Sequence, residues 1–451
     1  MKVKRYVLIF LVLVLCVSSL LCFPAVVVNS AGNLSYRFEH STKTLYVSGQ
    51  GAMKKYTYPK NYPWIDFIEK HAYFPERIVV ESGLTSIADE AFSDDIDGNS
   101  GLGRNGLGNV KEIVLPNTLK TVGKEAFSFL HSLKKINIPA GVKKIGSRTF
   151  ADCQSLRSIT IPSSVKKIPA EMFYDCGKLK DVTIKKGVKE IGADAFCCSG
   201  IEKIKLPSTI TKIGKGAFAI SRIRNLVLPK KVRRICSQTY SYCSNLKRIV
   251  IPKRIKVIED QAFDGCENLI SVKLPSNIKK ISYAVFDECA KLTKISFSKK
   301  LNSIGAYAFW GCKSLKKFTK PSKIKNIKSY TFGNCKSLTK IQIPKSVKVI
   351  GGHAFEKCKS LKSINIPKSV TRISREAFYG CTALKTITIP KSVTTLGKYF
   401  FGFRWKKTGE NAYGEDIGKY VRLSGYKIKG YKGTAAEQYA QTNGFTFIPL
   451  D

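Results

Sequence analysis

Acidic residues are scarce in this sequence. Only 32 Asp and Glu stand against 77 Lys and Arg, which leaves a formal charge of +45. A field that positive favours anionic partners such as acidic polysaccharide, wall polymer, nucleic acid or anionic membrane, and it says nothing about fold. Histidine is scarcer still, with His40, His71, His131 and His353 scattered along 451 residues. No H-E-x-x-H, G-x-S-x-G or P-loop sequence occurs, and the few carboxylates occupy no constant spacing. Neither a hydrolytic metal centre nor an acid pair is therefore indicated, and the expectation is a protein that is not an enzyme. No C-x-x-C pair occurs among the 14 cysteines, so no metal clip and no cofactor is expected.

Long apolar runs are also nearly absent. One extends from Val7 to about Val28, behind the basic Lys2, Lys4 and Arg5. Small residues at Ser30 and Ala31 offer a cleavage point, and Ser18, Ser19 and Pro24 interrupt the run. Residues 1–31 read as a signal peptide, with a retained N-terminal anchor as the alternative. Since no second run of that length follows, the expectation is a secreted or cell-surface protein that meets membrane only through an uncleaved leader.

What the chain does contain is one repeat. An aromatic recurs at Phe127, Phe150, Phe173, Phe196, Phe218, Tyr240, Phe263, Phe286, Phe309, Phe332, Phe355, Phe378 and Phe401, at spacings of 23 residues and twice 22. If each unit is numbered from its first Leu, as in Leu133-Lys-Lys-Ile-Asn-Ile-Pro139, apolar residues fall at positions 1, 4, 6, 10, 13 and 18. Positions 4 and 6 alternate with polar 3 and 5, the signature of a short strand with one buried face. Proline at 7 cannot donate to a ladder and ends the strand. Residues near 14–21 are expected to form a short helical or irregular turn that carries the aromatic inward. One such unit cannot bury its own apolar face, so the units must stack. Strands are expected near 133–138, 156–161, 338–343, 361–366 and 384–389, in a right-handed solenoid with a shared core.

The L-x-x-I-x-I-P pattern belongs to the leucine-rich class. Units such as Leu361-Lys-Ser-Ile-Asn-Ile-Pro367, followed by Ile373, Phe378 and Cys381, resemble the BspA-like leucine-rich-repeat surface proteins. So do Leu45–Met53 with Pro63-Trp64, and the closing Gly430–Ala440 leading to Phe447. The resemblance implies an α/β repeat fold: a leucine-rich-repeat solenoid with one parallel β-sheet, a small N-terminal β cap and a C-terminal α/β cap. It also implies adhesion or binding at cell surfaces, without naming a ligand. The Asn ladder of other leucine-rich repeats is missing, with Pro in that region. The expected boundaries are 32–75 for the N-terminal cap, 76–401 for the solenoid with an inserted loop at 93–109, and 402–451 for the C-terminal cap. In that last segment, Thr434–Gln441 reads as a helix and Phe445–Ile448 as a strand.

Several motifs compete for chemistry. Gly101-Leu-Gly103-Arg-Asn-Gly106 is formally G-x-G-x-x-G, but no strand precedes it and no helix follows, so it reads as a loop. Asp95, Asp97 and Asn99 are spaced like a calcium loop, yet Ser100 and Gly106 stand where its Gly and Glu belong. Ten cysteines, from Cys153 through Cys198 to Cys381, read as one repeat column of small buried thiols, with bonding between neighbouring coils not geometrically excluded. Lysine carries more information. Lys or Arg recurs at positions 2 and 11, and a repeat turns each such position into a line in space. Lys247 and Lys316 belong to the position 2 line. The exposed strand face adds Lys135, Lys203, Lys205, Arg248, Lys273, Lys294, Lys317 and Lys340 at positions 3 and 5, against only Glu112 and Asp181. These ten form the candidate binding stripes, and the expected partner is an anionic polysaccharide or an extracellular or cell-surface protein. Nucleic acid is not expected, because the aromatics fill core positions and leave no exposed stacking row. A local fault is expected at Lys320, which takes position 6 where other units bury an apolar side chain.

Overall fold

The computed structural model describes residues 26–31, 33–55, 62–94, 106–318, 323–411 and 413–451. The leader through residue 25, Asp95, Asp97, Asn99, Gly101, Gly103 and Lys320 lie outside the described residues. The chain divides into two compact units, Met1–Val165 and Lys166–Asp451. That boundary falls inside the repeat beginning at Leu156, so the same coil builds both.

In the N-terminal unit, Val26–Ala31, Leu34–Glu39 and Thr44–Gly49 form an antiparallel meander. The first of these strands belongs to the segment read as leader. Thr44–Gly49 then pairs in parallel with Arg77–Val80, which pairs with Glu112–Val114, which pairs with Lys135–Ile136. The cap was expected to be all β, but it also holds a helix, Pro63–His71. Pro63 suits the first helical turn, Asp66 lies near the N-terminus, and Lys70 and His71 lie near the C-terminus, as the helix dipole favours. Trp64, Ile65, Phe67 and Ile68 are buried, so packing completes what this local pattern begins. Trp64 stacks on Phe92 at 5.0 Å, Phe92 on Phe127 at 5.8 Å, and Phe127 on Phe150 at 5.5 Å.

The C-terminal unit repeats the coil with the expected strands in place, including Lys340–Gln342, Ser363–Asn365 and Thr386–Thr388. Its core is an aromatic ladder from Phe173 to Phe378, with rings stacked nearly parallel, as in Phe263–Phe286 at 5.6 Å and 3°. All the anchor aromatics from Phe127 to Phe401 are buried. The structure adds a second, shorter ladder to the expected sheet. Two-residue strands at positions 12 and 13, such as Glu190–Ile191 and Lys212–Ile213, pair from coil to coil.

Coils approach one another closely at position 14 of that second ladder. Successive coils come so close there that a Cβ on Gly214 would lie 2.6 Å from the Ala193 nitrogen, and one on Gly305 would lie 2.2 Å from the Ser282 oxygen. Glycine removes the clash, and Gly214 N–H donates to the Ile191 carbonyl at 2.9 Å. The ladder stops where Cys236, Ser282 or Lys328 holds the position, yet it continues through Glu259 and Ser374, whose N–H groups donate to the Ile235 and Ile350 carbonyls, so a missing glycine does not by itself break it. Lys212–Ile213 does not pair with Arg234–Ile235, nor Val257–Ile258 with Lys280–Ile281, nor Ser303–Ile304 with Asn326–Ile327.

Positions 14–21 form an irregular turn, not a helix. Positions 16 and 20 sit in the left-handed region in coil after coil, as at Tyr330 (φ 58°) and Asn334 (φ 57°). Between them the backbone bonds to the next coil: Tyr330 N–H to Gly352, Phe332 N–H to Ala354 and Asn334 N–H to Glu356. These intercoil bonds offset the backbone strain of non-glycine residues at positive φ.

Buried thiols complete the coil. Cys289 Sγ donates to the Phe263 carbonyl at 3.2 Å, and the same bond recurs from Cys243 to Cys381. All the described cysteines are free, and burial pushes the Cys243 thiol up to about 11. Cys198 leaves the column to which the sequence assigned it. In that 22-residue unit it takes the left-handed position 20 (φ 56°), and buried Ser199 takes the cysteine's place.

The C-terminal cap begins with an antiparallel hairpin that the sequence did not reveal, Phe403–Glu410 with Asp416–Arg422. Lys427–Gly430 extends the ladder beside Thr386–Thr388, and Thr446–Pro449 closes it. Between them runs the helix Ala435–Asn443, ended by Gly444 in the left-handed conformation (φ 67°). Its buried Ala436, Tyr439 and Ala440 cover the last coil, with Tyr439 4.4 Å from Phe400.

Candidate functional site

The exposed edge of the first ladder is built by alternation. Position 4 points into the core and positions 3 and 5 point out, giving exposed-buried-exposed strands such as Arg248–Val250, Ser271–Lys273 and Lys294–Ser296. All ten candidate cations are exposed: Lys135, Lys203, Lys205, Lys247, Arg248, Lys273, Lys294, Lys316, Lys317 and Lys340. Exposure is where their similarity ends.

In the N-terminal unit position 3 alternates in sign. Arg77, Glu112 and Lys135 lie in register on adjacent strands. Glu112 contacts Arg77 Nε at 3.2 Å and Lys135 Nζ at 2.7 Å. Close by, Glu76 joins Lys43 at 2.9 Å and Lys111 at 2.5 Å, and Glu81 joins Arg37 at 3.2 Å. The Lys111 and Lys43 ammoniums hold Glu76 down to about 2, and Lys135 foremost holds Glu112 below the usual carboxylate range. Lys135 is thus one member of a compensated row.

In the C-terminal unit Asp181 is the one carboxylate at position 3 among the described residues, and the rows that follow it hold none. Asn225, Arg248, Ser271 and Lys294 stand in register, and Lys317, Lys340 and Ser363 form a second row. Lys317 and Lys340 are immediate neighbours, about 4.8 Å apart in the ladder direction. Lys273 adds charge at position 5 beside Ser296. Lys203 and Lys205 belong to a coil with no strand in the first ladder, so they are exposed but outside it. Lys247 and Lys316 sit at the strand entrances, next to Arg248 and Lys317.

Three features of this face escaped the sequence. Val227 and Val250 are paired in register at position 5 and remain 68 % and 59 % exposed, an apolar pair beside Arg248. Lys427 continues the position 3 row from the cap, in register with Thr386, and only the observed pairing reveals it. The face also ends in a cleft of about 900 Å³ lined by Gln342, Asn365 and Thr388, with Lys345, Lys368 and Tyr431.

An aromatic row also lies outside the core. Tyr307, Tyr330 and His353, at position 16 of successive coils, stack at 4.5 and 4.3 Å. The rings cover one another's faces, so the row presents edges where a base or sugar would need a free face. His353 Nδ1 lies 3.0 Å from buried Glu356 and 3.6 Å from buried Glu376. Among the described residues no group of three His, Cys, Asp or Glu is placed to hold a metal ion. No described helix is long and apolar enough to cross a membrane.

Comparison with known proteins agrees with this architecture. The family described as BspA type leucine rich repeat region matches in six copies, over residues 105–223, 211–339 and 325–407. A leucine-rich repeat protein of Bacteroides ovatus shares the fold at 22% identity and a TM-score of 0.57, covering 82% of this chain and 99% of its own. A leucine rich cell surface protein of Faecalibacterium prausnitzii aligns at 22% identity and a TM-score of 0.44, covering 85% and 95%. The pneumococcal vaccine antigen PcpA aligns at 15% identity and a TM-score of 0.49, covering 94% and 98%. No curated protein matches.

Proposed function

We propose, from the premise that the chain belongs to the BspA-type leucine-rich-repeat family, that it is a secreted or cell-surface, non-enzymatic adhesion protein whose C-terminal strand face binds an anionic polysaccharide. Binding scaffolds are what such repeat folds provide: a rigid ladder that displays side chains at fixed intervals. The observation that carries the polyanion is the pair of rows Arg248–Lys294 and Lys317–Lys340, where no carboxylate answers the cations. Like charges held one or two strands apart repel, and a polyanion laid along the ladder would relieve that repulsion at many points together. Release of condensed counterions from a highly charged polymer then makes affinity fall steeply with salt.

A second reading, a protein partner on the same face, is favoured by Val227 and Val250, an exposed apolar pair of the kind that interfaces bury. The test is a titration with an acidic and a neutral polysaccharide at low and at high salt. The polysaccharide reading expects binding to the acidic polymer alone, weakened by salt. Equal, salt-insensitive affinity for both would overturn it, and failure to bind either would leave the protein partner.

A further inference from the structure

The second ladder carries a feature that the strand face does not share. Between Lys212–Ile213 and Arg234–Ile235 the pairing of positions 12 and 13 is interrupted. The interruption follows the second of two successive 22-residue units, Leu179–Gly200 and Ile201–Arg222, and position 14 of the next unit is Cys236. A cleft of about 580 Å³ opens there, lined by Thr211, Ile213 and five cations: Lys212, Lys231, Arg233, Arg234 and Arg254. All five are exposed. The one carboxylate bound to them is Glu259, which contacts Arg234 at 3.0 Å and accepts the Ser237 N–H at 3.1 Å, so it holds Arg234 in place. Lys212, Lys231, Arg233 and Arg254 have no ion-pair partner among the described residues.

We infer that this cleft is a discrete binding site for a short, densely charged acidic oligosaccharide, separate from the strand face. Five cations from three successive coils converge on one cavity, whereas the strand face spaces its charges along a line. The size suits a small ligand, since specific sites commonly span roughly 300–1,000 Å³. Three of the five are arginines, whose planar forks engage carboxylate or sulfate groups through two parallel hydrogen bonds. The lining holds no aromatic ring, so nothing in it would stack a nucleobase. Its only apolar residue, Ile213, is buried, so the lining offers an acidic peptide no apolar side chain beyond the aliphatic stems of the cations themselves. Charged groups and hydroxyls on a sugar scaffold need neither.

The test is calorimetric titration of the full chain with a sulfated tetrasaccharide, its unsulfated counterpart, hexaglutamate and a short oligothymidylate. The expected result is one site per chain for the sulfated sugar, with the other three weaker. Lys231→Gln, Arg233→Gln and Arg254→Gln together should lower that affinity about tenfold, with the unfolding midpoint unchanged because all three side chains are exposed. Lys294→Gln, Lys317→Gln and Lys340→Gln together should leave it unaltered while weakening binding of the long polymer. An unchanged tetrasaccharide affinity in the cleft variant would overturn this site, as would equal binding of hexaglutamate or oligothymidylate. Neither outcome touches the strand-face reading, which fails separately if the strand-face variant still binds the long polymer as the parent does.

Discussion

Along the first ladder the two units treat charge in opposite ways. In the N-terminal unit a carboxylate separates the cations, as Glu112 separates Arg77 from Lys135 and Glu76 lies between Lys43 and Lys111. In the C-terminal unit Ser271 separates Arg248 from Lys294, and nothing separates Lys317 from Lys340. The backbone geometry is the same in both, so the contrast lies in side chains at one repeat position. A compensated row contributes a little stability and, with one carboxylate to two cations, keeps only part of its charge for a ligand. An uncompensated row costs stability and keeps its field available.

Acid and base should separate the two units most sharply. Asp287, on the turn side of the C-terminal unit, is pushed up to about 7 by burial and by the neighbouring Asp264 and Glu288. A raised carboxyl stabilises the fold below its unfolded value near 3.8, and that contribution is lost as pH rises through about 7. Asp287→Asn should therefore stabilise the C-terminal unit by about 3 kcal/mol at pH 8 and by almost nothing below pH 3.8, read as protection in local hydrogen exchange. Glu76 runs the other way. Its stabilising contribution is present above its ordinary 4.5 and is lost as pH falls toward about 2, so protection around Glu76 should decline over that acid range. Parallel pH responses in the two units would break the comparison.

Binding gives the next largest effect. Lys294→Gln, Lys317→Gln and Lys340→Gln together should weaken polyanion binding by about 2 kcal/mol, through many small contacts with none dominant. Lys135→Gln, which removes a cation already paired, should change it less than about twofold. Comparable losses from the two variants, measured by titration at low salt, would show that pairing at Glu112 does not matter.

These contrasts also mark how far the sequence could be read. A 23-residue period fixes which residues share a line, so the aromatic column, the lysine lines and the strands at positions 3–5 follow from spacing alone. Pairing does not follow. That Glu112 reaches both Arg77 and Lys135 depends on strand register, and Lys427 joins the row only through the cap's pairing with Thr386. The second ladder was missed because a two-residue strand has no internal period to detect. Its breaks fall at Cys236, Ser282 and Lys328 but not at Glu259 or Ser374, a distinction that no hydrophobic pattern carries. Cys198 stands two residues after Phe196, where the column's thiols stand three after their aromatics, so Ser199 fills the column and Cys198 takes the left-handed position before it.

The smallest predicted effect tests cause. Glu112→Gln leaves Arg77 and Lys135 facing each other's charge, which should cost the N-terminal unit about 0.5 kcal/mol at low salt and less at high salt. The same change should give that face a modest gain in polyanion binding, two- to threefold by titration. A stability loss without that gain would show that Glu112 acts as a structural link alone.

The most direct measurement is a lysine footprint: acylation of surface amines with and without a saturating acidic polysaccharide, quantified peptide by peptide. Lys294, Lys317 and Lys340 on the C-terminal strand face should be protected, with Lys135 modified equally in both samples. Equal protection of Lys135, or no protection along the Lys317–Lys340 row, would contradict it.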